Sequence, residues 1–114
     1  VQDLDPSRVV NKASGWLDVG DKGSDLFDIH TYEEVPNAPG LHADRAIVLG
    51  EFGGIGLPVQ GHLWFPARRN WGYQNAKDRE DFRARYVRKY AEVIRQAKEL
   101  GLSAAVYTQT TDVE

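Results

Sequence analysis

Residues 78–108 read DREDFRARYVRKYAEVIRQAKELGLSAAVYT, in which a helical pattern is followed directly by a strand pattern. Apolar residues recur at intervals of three and four over Asp78 to Leu100, as they do on one face of an α-helix. The first residue of this stretch and Asp81 provide acceptors for the exposed N–H groups of a helix start, and Gly101 suits the left-handed residue after a helix end. The apolar run Leu102 to Thr108 then predicts a buried strand.

Three further apolar or β-branched runs are bounded by turn residues, and each predicts a buried strand: Arg8 to Ala13, Leu26 to Ile29 and Ala46 to Leu49. A strand, a long connection, a helix and another strand make a right-handed parallel crossover the expected arrangement, so the predicted fold class is α/β. Polar residues that follow the ends of the runs are expected to meet at one rim: Asn11, His30, Tyr32, Glu51, Gln109 and Thr110. Four strand ends that contribute to one rim favour a TIM-type barrel over an open sheet.

The length of the chain predicts only part of such a barrel. A complete (β/α)8 barrel needs about 250 residues, and this chain has 114. The sequence begins without Met and ends soon after an apolar run that no helix covers. We therefore expect residues 1–114 to be a fragment, a partial (β/α)8 TIM barrel that contains approximately strands 5 to 8. A half-barrel leaves strand edges unpaired, so the fragment alone is expected to be marginally stable and inactive.

The composition is that of an ordinary globular protein, with 41% hydrophobic residues, 27% charged residues and a formal net charge of -3. Basic residues between Arg68 and Lys98 alternate with acidic ones, so neither a nucleic-acid partner nor a membrane partner is expected. Cysteine is absent and the three histidines lack metal-ligand spacing, so no metal site is expected. No signal-peptide pattern and no apolar run of bilayer length occur, so we expect a soluble protein whose localisation stays open.

Glu51 lies in VLGEFGG, residues 48–54, at the end of an apolar run and between glycines. Glycines allow backbone or a ligand to approach closely. A carboxylate at a strand end also has a structural explanation, because an arginine or backbone N–H groups can hold it there. The glycine spacing matches neither the dinucleotide-binding nor the phosphate-binding loop, so no nucleotide cofactor is expected.

Three blocks of the chain, taken in order, resemble the catalytic barrel of the family-two glycoside hydrolases, the β-galactosidase, β-glucuronidase and β-mannosidase group. The blocks are DIHTY (28–32), VLGEFGG (48–54) and AVYTQTTDVE (105–114), and the resemblance covers essentially the whole chain. It implies that Glu51, at the end of barrel strand seven, is the catalytic nucleophile of a retaining glycosidase. It also implies an acid/base Glu directly after Asn at the end of strand four.

The acid/base residue is expected upstream, because no Asn-Glu pair occurs in this sequence. The missing N-terminal half of the barrel would supply it, and flanking β-sandwich domains would complete the protein. A retaining glycosidase cleaves a β-linked terminal sugar by double displacement, with its two carboxyl groups about 5 to 5.5 Å apart. The mechanism itself requires no cofactor. Glu33 and Glu34 follow Tyr32 in a Pro-rich loop. We expect them to face water and not to replace the missing acid/base residue.

Polar and aromatic side chains are candidates for binding the carbohydrate substrate. His30 and Tyr32 lie two apart and share one face of an extended segment. The resemblance places them beside the nucleophile, where a donating Tyr hydroxyl would favour the ionised carboxylate. Each also has a structural explanation. His30 is then a strand-end histidine with satisfied hydrogen bonds, and Tyr32 is a rim aromatic that only packs. The remaining candidates are Trp16, Trp64, Trp71 and Gln109, since rings stack on sugars and amides bind hydroxyls. A cluster that only fixes the long loop of residues 53–77 to the barrel explains Trp64 and Trp71 equally well.

Two other interpretations remain open at this point. The first is a non-catalytic carbohydrate-binding or scaffold barrel, because fold does not imply function. The second is an unrelated α/β binding domain in which Glu51 is an ordinary strand-end ion-pair residue. An upstream Asn-Glu pair would favour the enzyme over the first interpretation. A structure without polar groups around Glu51 would favour the second.

Overall fold

The computed structural model describes residues 1–15, 18, 23–37, 44–68 and 72–109. Within these residues the elements, in chain order, are β1 (Leu26–Thr31), β2 (Ala46–Gly53), β3 (Ile55–Gly56), β4 (Gln74–Asn75), α1 (Arg79–Glu99) and β5 (Leu102–Thr108). Strands β1, β2 and β5 form one parallel sheet in that order. Strands β3 and β4 pair in parallel as a second, two-stranded sheet, which closes the loop between them.

The predicted partial (β/α)8 barrel is wrong. The main sheet has three strands and the described part of the chain forms a single helix, whereas strands 5 to 8 of a barrel would supply four strands with a helix after each. The connection between β1 and β2, residues 32–45, is rich in Pro and Gly and contains no helix where it is described. In residues 32–37 and 44–45, the described part of this connection, the helical layer that a barrel requires on the outside of its strands is not seen.

The predicted strand Arg8 to Ala13 is also wrong. The segment lies beside β1, but side chains take several of the backbone donors that a strand ladder would use. The Val10 N–H donates to the Asp25 carboxylate at 2.7 Å, and the Lys12 N–H donates to the Ser24 hydroxyl at 3.3 Å. All residues of the segment are exposed or half-buried, so the expected buried strand does not form.

The helix prediction is confirmed at both ends. Helix α1 begins after Asp78, whose carboxylate accepts a hydrogen bond from the Asp81 N–H at 2.8 Å. Gly101, just past its end, has a φ of 77°, in the left-handed region. Strands β1, β2 and β5 confirm the other three predicted strands, and β2 and β5 are parallel as expected for a crossover through α1.

The hydrophobic core lies between α1 and one face of the main sheet. Its buried members come from β2 and β5: Ile47, Leu49, Phe52 and Leu102. Tyr90 and Val93 of α1 pack against this cluster. Burial of each large apolar side chain contributes about 1.5–3 kcal/mol. This layer holds β2 firmly in the sheet and so fixes the strand from which Glu51 projects.

An irregularity in β2 decides the direction in which Glu51 points. The pairing with β1 is regular up to Leu49, but His30 then pairs with Glu51, which leaves Gly50 as an extra residue in β2. Side chains alternate along a regular strand, so without the extra residue Glu51 would face the core side, like Leu49. The bulge turns Glu51 to the opposite side and returns Phe52 to the core.

Candidate functional site

Glu51 is anchored at the C-terminal end of the sheet by a hydrogen bond from Tyr32. Tyr32 follows the last residue of β1, is 6% exposed, and donates its hydroxyl proton to Oε2 of Glu51. The Glu51 side chain remains 39% exposed. Its other oxygen, Oε1, receives no hydrogen bond from a described residue. The carboxylate is therefore fixed through one oxygen while solvent can reach the side chain.

The surroundings of Tyr32 favour its neutral, proton-donating form. Burial, and then the hydrogen bond to Glu51, raise the pKa of Tyr32 well above its ordinary value. The Tyr32 ring stacks on Tyr73 with 3.4 Å between the ring centroids and an interplanar angle of 12°. A phenol that stays protonated at neutral pH remains a hydrogen-bond donor to Glu51.

His30 is the second neighbour of the carboxylate. Its Nδ1 lies 3.9 Å from Oε2 of Glu51, and its Nε2 lies 3.2 Å from the Ser14 hydroxyl oxygen. Ser14 donates its single hydroxyl proton to Asp28 at 3.0 Å, so its oxygen accepts a hydrogen bond from His30 Nε2–H. This network assigns Nε2 as protonated and leaves Nδ1 facing Glu51.

Asp28 was not predicted as a site residue, although it connects the others. Its side chain is 3% exposed and accepts hydrogen bonds from the Gly50 N–H at 2.8 Å, the Asn11 amide at 2.6 Å and the Ser14 hydroxyl at 3.0 Å. All of these contacts are donors, so Asp28 acts as an acceptor that orients its neighbours. The sequence carried a signal for it, since a charge interrupts a predicted buried strand two positions before His30.

Gly50 combines with Asp28 to form the inner wall of the site. A Cβ atom at position 50 would lie 2.2 Å from Oδ1 of Asp28, a distance that side-chain carbons do not adopt. Glycine also lets its own N–H reach the same oxygen. The bulge that aims Glu51 and the buried carboxylate of Asp28 therefore depend on each other.

The other predicted substrate-binding residues are not joined to Glu51 by the described contacts. Gln109 directly follows β5, is exposed, and makes no hydrogen bond with another described residue. Trp64, in the loop between β3 and β4, is 81% exposed. Trp16 and Trp71 lie outside the described residues. Their predicted roles in binding sugar stay predictions.

Three further observations concern the described part of the chain. Over residues 1–15, 18, 23–37, 44–68 and 72–109, no group of three or more His, Cys, Asp or Glu side chains is arranged to hold a metal ion. In that same part of the chain, no helix combines the length and apolarity needed to cross a bilayer. Glu33 and Glu34 are exposed, which confirms the prediction that they face water.

The surroundings of Glu51 differ from those of an ordinary strand-end ion pair. Among the described residues, its ionic neighbour is His30, and neither a lysine nor an arginine takes that place. The polar groups that contact it, Tyr32 and His30, are largely buried, as is Asp28 on the far side of His30. Buried polar groups that converge on a partly exposed carboxylate are typical of functional sites.

Comparison with known proteins identifies no relative: no protein-family model matches the chain, and no curated protein matches it. The resemblance to the family-two glycoside hydrolases therefore stays a hypothesis that rests on the residues quoted above. The chemistry of this site follows from the geometry of Glu51 and its neighbours.

Proposed function

We propose that Glu51 is the nucleophile of a retaining glycoside hydrolase that acts on a β-linked terminal sugar. The observation that carries this proposal is the partly exposed Glu51 carboxylate, bonded through Oε2 to the buried Tyr32 hydroxyl. The resemblance of residues 48–54 to the nucleophile segment of the family-two enzymes supports it. The proposal does not require a barrel, because the pairing of β1 with β2 brings His30 beside Glu51, and Tyr32, which directly follows β1, donates to the same carboxylate.

The reaction consists of two displacements at the anomeric carbon. In the first, an oxygen of Glu51 bonds to this carbon while the bond to the leaving oxygen breaks, and the leaving oxygen takes a proton from an acid/base carboxyl group. In the second, water loses a proton to the acid/base group, its oxygen attacks the anomeric carbon, and Glu51 leaves as a carboxylate. The hydrogen bond from Tyr32 engages Oε2, so Oε1 is the attacking atom.

The acid/base residue does not come from the described neighbours of Glu51. Asp28 is buried, and both of its carboxylate oxygens already accept hydrogen bonds from Gly50, Asn11 and Ser14, so neither oxygen is placed to serve a leaving group. We assign the role to a glutamate outside these 114 residues, in the Asn-Glu pair that the resemblance implies. The proposed partners are thus the carbohydrate substrate and further segments of the same protein, including flanking β-sandwich domains.

Substitution of the nucleophile tests this proposal on the full-length protein, including any sequence that precedes or follows residues 1–114. Wild type and Glu51→Gln are assayed against a panel of nitrophenyl glycosides of both anomeric configurations. Removal of a nucleophile lowers kcat by orders of magnitude, on the order of 10⁴-fold or more. Glu34→Gln is the matched control, because it neutralises an exposed carboxylate, and it should keep the wild-type rate. Glu51→Gln with wild-type activity would place the nucleophile elsewhere.

A non-catalytic carbohydrate-binding protein is the alternative function. The observation that favours it is the set of exposed rings in and beside the loop between β3 and β4: Trp64 at 81%, Phe65 at 60% and Tyr73 at 44% exposure. Exposed rings of this kind stack on sugar faces without any need for catalysis. Sugar binding by calorimetry, without hydrolysis of any glycoside and unchanged by Glu51→Gln, would favour this alternative.

A further inference from the structure

Lys89 is a buried lysine on the side of α1 that faces the site. Its residue exposure is 8%, and it is one of two buried residues in the helix. Its ammonium group donates to the backbone carbonyl oxygen of Tyr32 at 2.6 Å and to that of Glu33 at 2.8 Å. Burial, with smaller effects of Arg88 and Arg85, lowers the pKa of Lys89. A buried cation is unfavourable unless such acceptors hold it, so its presence here requires an explanation.

The contacts of Lys89 meet the segment that carries Tyr32. Tyr32 lies beyond the last paired residue of β1, so the sheet ladder does not fix its backbone. Its carbonyl oxygen instead accepts two hydrogen bonds, from Lys89 and from the Gln74 side-chain amide of β4 at 3.1 Å. At its other end, the Tyr32 hydroxyl donates to Glu51. Lys89 and Gln74 therefore hold the backbone of Tyr32, while the side chain of the same residue contacts Glu51.

Other contacts between α1 and the same loop end farther along the chain. The Gln96 amide donates to the Pro36 carbonyl oxygen at 2.8 Å, and the Arg95 guanidinium donates to the Asn37 side chain at 3.1 Å. These bonds hold the distal part of the loop, whereas Lys89 donates to the carbonyl oxygens of Tyr32 and Glu33 at its start. Helix α1 thus fixes the distal part of the loop through Gln96 and Arg95, and it separately holds the Tyr32 backbone through Lys89, a contact that we call the Tyr32 clamp.

We propose that Lys89 is a positioning residue, which holds the Tyr32 backbone so that the Tyr32 hydroxyl stays on the Glu51 carboxylate. The catalytic part of this inference rests on the proposed function, but the contact between Tyr32 and Glu51 is measurable without activity. Loss of the clamp lets Tyr32 leave Glu51, and Glu51 then loses its orienting donor. The chemical step suffers more than substrate binding, because Lys89 lies behind Tyr32 and does not reach the carboxylate.

The first measurement follows the Tyr32 side chain by NMR of protein with ¹³Cζ-labelled tyrosine. The Tyr32 resonance is assigned from its absence in Tyr32→Phe. In the wild type it should resist titration to high pH, because burial and Glu51 raise the pKa of Tyr32. In Lys89→Met it should shift and titrate at lower pH, whereas Lys89→Arg, which keeps a donor, should restore most of the wild-type behaviour. Lys98→Met is the matched control, since it removes an exposed lysine of the same helix.

The second measurement separates a positioning role from general loosening of the loop. Lys89→Met should lower kcat by up to about 100-fold with little change in KM, as expected for a misplaced active-site group. In the Tyr32→Phe background the same substitution should have no further effect on kcat. Asn37→Ala, which removes the hydrogen bond from Arg95, should leave kcat and the Tyr32 resonance unchanged. Additive losses in the double variant, or an unchanged Tyr32 resonance in folded Lys89→Met, would overturn the proposal.

Folding and the proposed function are controlled independently. If Lys89→Met does not fold, Gln74→Leu removes the other donor to the Tyr32 carbonyl oxygen and should shift the Tyr32 resonance in the same direction; no shift overturns the clamp. A shifted Tyr32 resonance in a protein that hydrolyses no glycoside would reject the glycosidase and keep the clamp. Glycoside hydrolysis that depends on Glu51, together with a Tyr32 resonance that does not shift, would keep the glycosidase and reject the clamp.

Discussion

The two faces of the main sheet are built from the same strands and have opposite character. One face packs the apolar side chains of β2 and β5 against α1, whereas the other carries Asp28, His30 and Glu51. Strand alternation alone would place Glu51 on the apolar face, and the extra residue Gly50 moves it to the polar one. The comparison shows that register, as well as composition, decides which carboxylates of a sheet are available for chemistry.

The apolar face should show the largest loss of stability. Phe52 is 1% exposed, and its ring meets Tyr90 and Tyr107, each with 5.4 Å between centroids. Phe52→Ala is therefore expected to lower the free energy of unfolding by about 3–5 kcal/mol, measured by urea denaturation. The control Val106→Ala truncates a side chain that is 58% exposed, and its effect should stay within about 0.5 kcal/mol. Equal effects of the two substitutions would reject the assigned core.

The polar face should respond more weakly, and through hydrogen bonds. Asp28→Asn keeps the size of the side chain but leaves one oxygen to serve the donors of Gly50, Asn11 and Ser14. Either the part-buried Gly50 N–H or the Asn11 and Ser14 side chains then lose their acceptor, which is expected to lower the free energy of unfolding by about 1–3 kcal/mol. Asp3→Asn, at an exposed position, is the control. Unfolding curves that coincide for wild type and Asp28→Asn would argue against this network.

The smallest predicted effect is a pH dependence of the stability, which arises from Tyr90 on helix α1. The hydrogen bond with Tyr86, and then burial, raise the pKa of Tyr90 from 10.0 to about 12. The folded state holds this proton more strongly than the unfolded state does, so the stabilisation is complete below the unfolded pKa and is lost as the pH rises through the folded pKa. The melting temperature should therefore fall between about pH 10 and pH 12. The fall should be shallower in Tyr90→Phe, and identical pH profiles would contradict the assignment.

The helix side of the molecule could be predicted from sequence because its signals are local. The acceptor of Asp78 and the left-handed Gly101 mark the ends of α1, and neither depends on a distant residue. The overall architecture could not be predicted from local signals of this kind, and the predicted barrel was wrong. Its prediction rested on a fourth strand at Arg8 to Ala13, but the side chains of Asp25 and Ser24 bind the backbone donors of that segment.

The site was predicted in part, and the missing part depends on register. Glu51, His30 and Tyr32 were identified from strand ends and from the resemblance, and the structure places them in contact. The direction of Glu51 depends on an extra residue relative to β1, which the sequence of β2 alone does not reveal. Lys89 was missed because a lysine on a helix is ordinarily solvated, although its place on the apolar face of α1 was a signal.

Covalent trapping of the full-length protein is the measurement that decides whether Glu51 is a nucleophile. The protein is incubated with activated 2-deoxy-2-fluoro glycosides, which form a glycosyl-enzyme that hydrolyses slowly, and peptide mass spectrometry locates the adduct. We predict a stoichiometric label on Glu51 that is absent from Glu51→Gln and retained in Glu34→Gln. A label on another carboxylate, or no label from any sugar on a folded protein, would contradict the proposed role of Glu51.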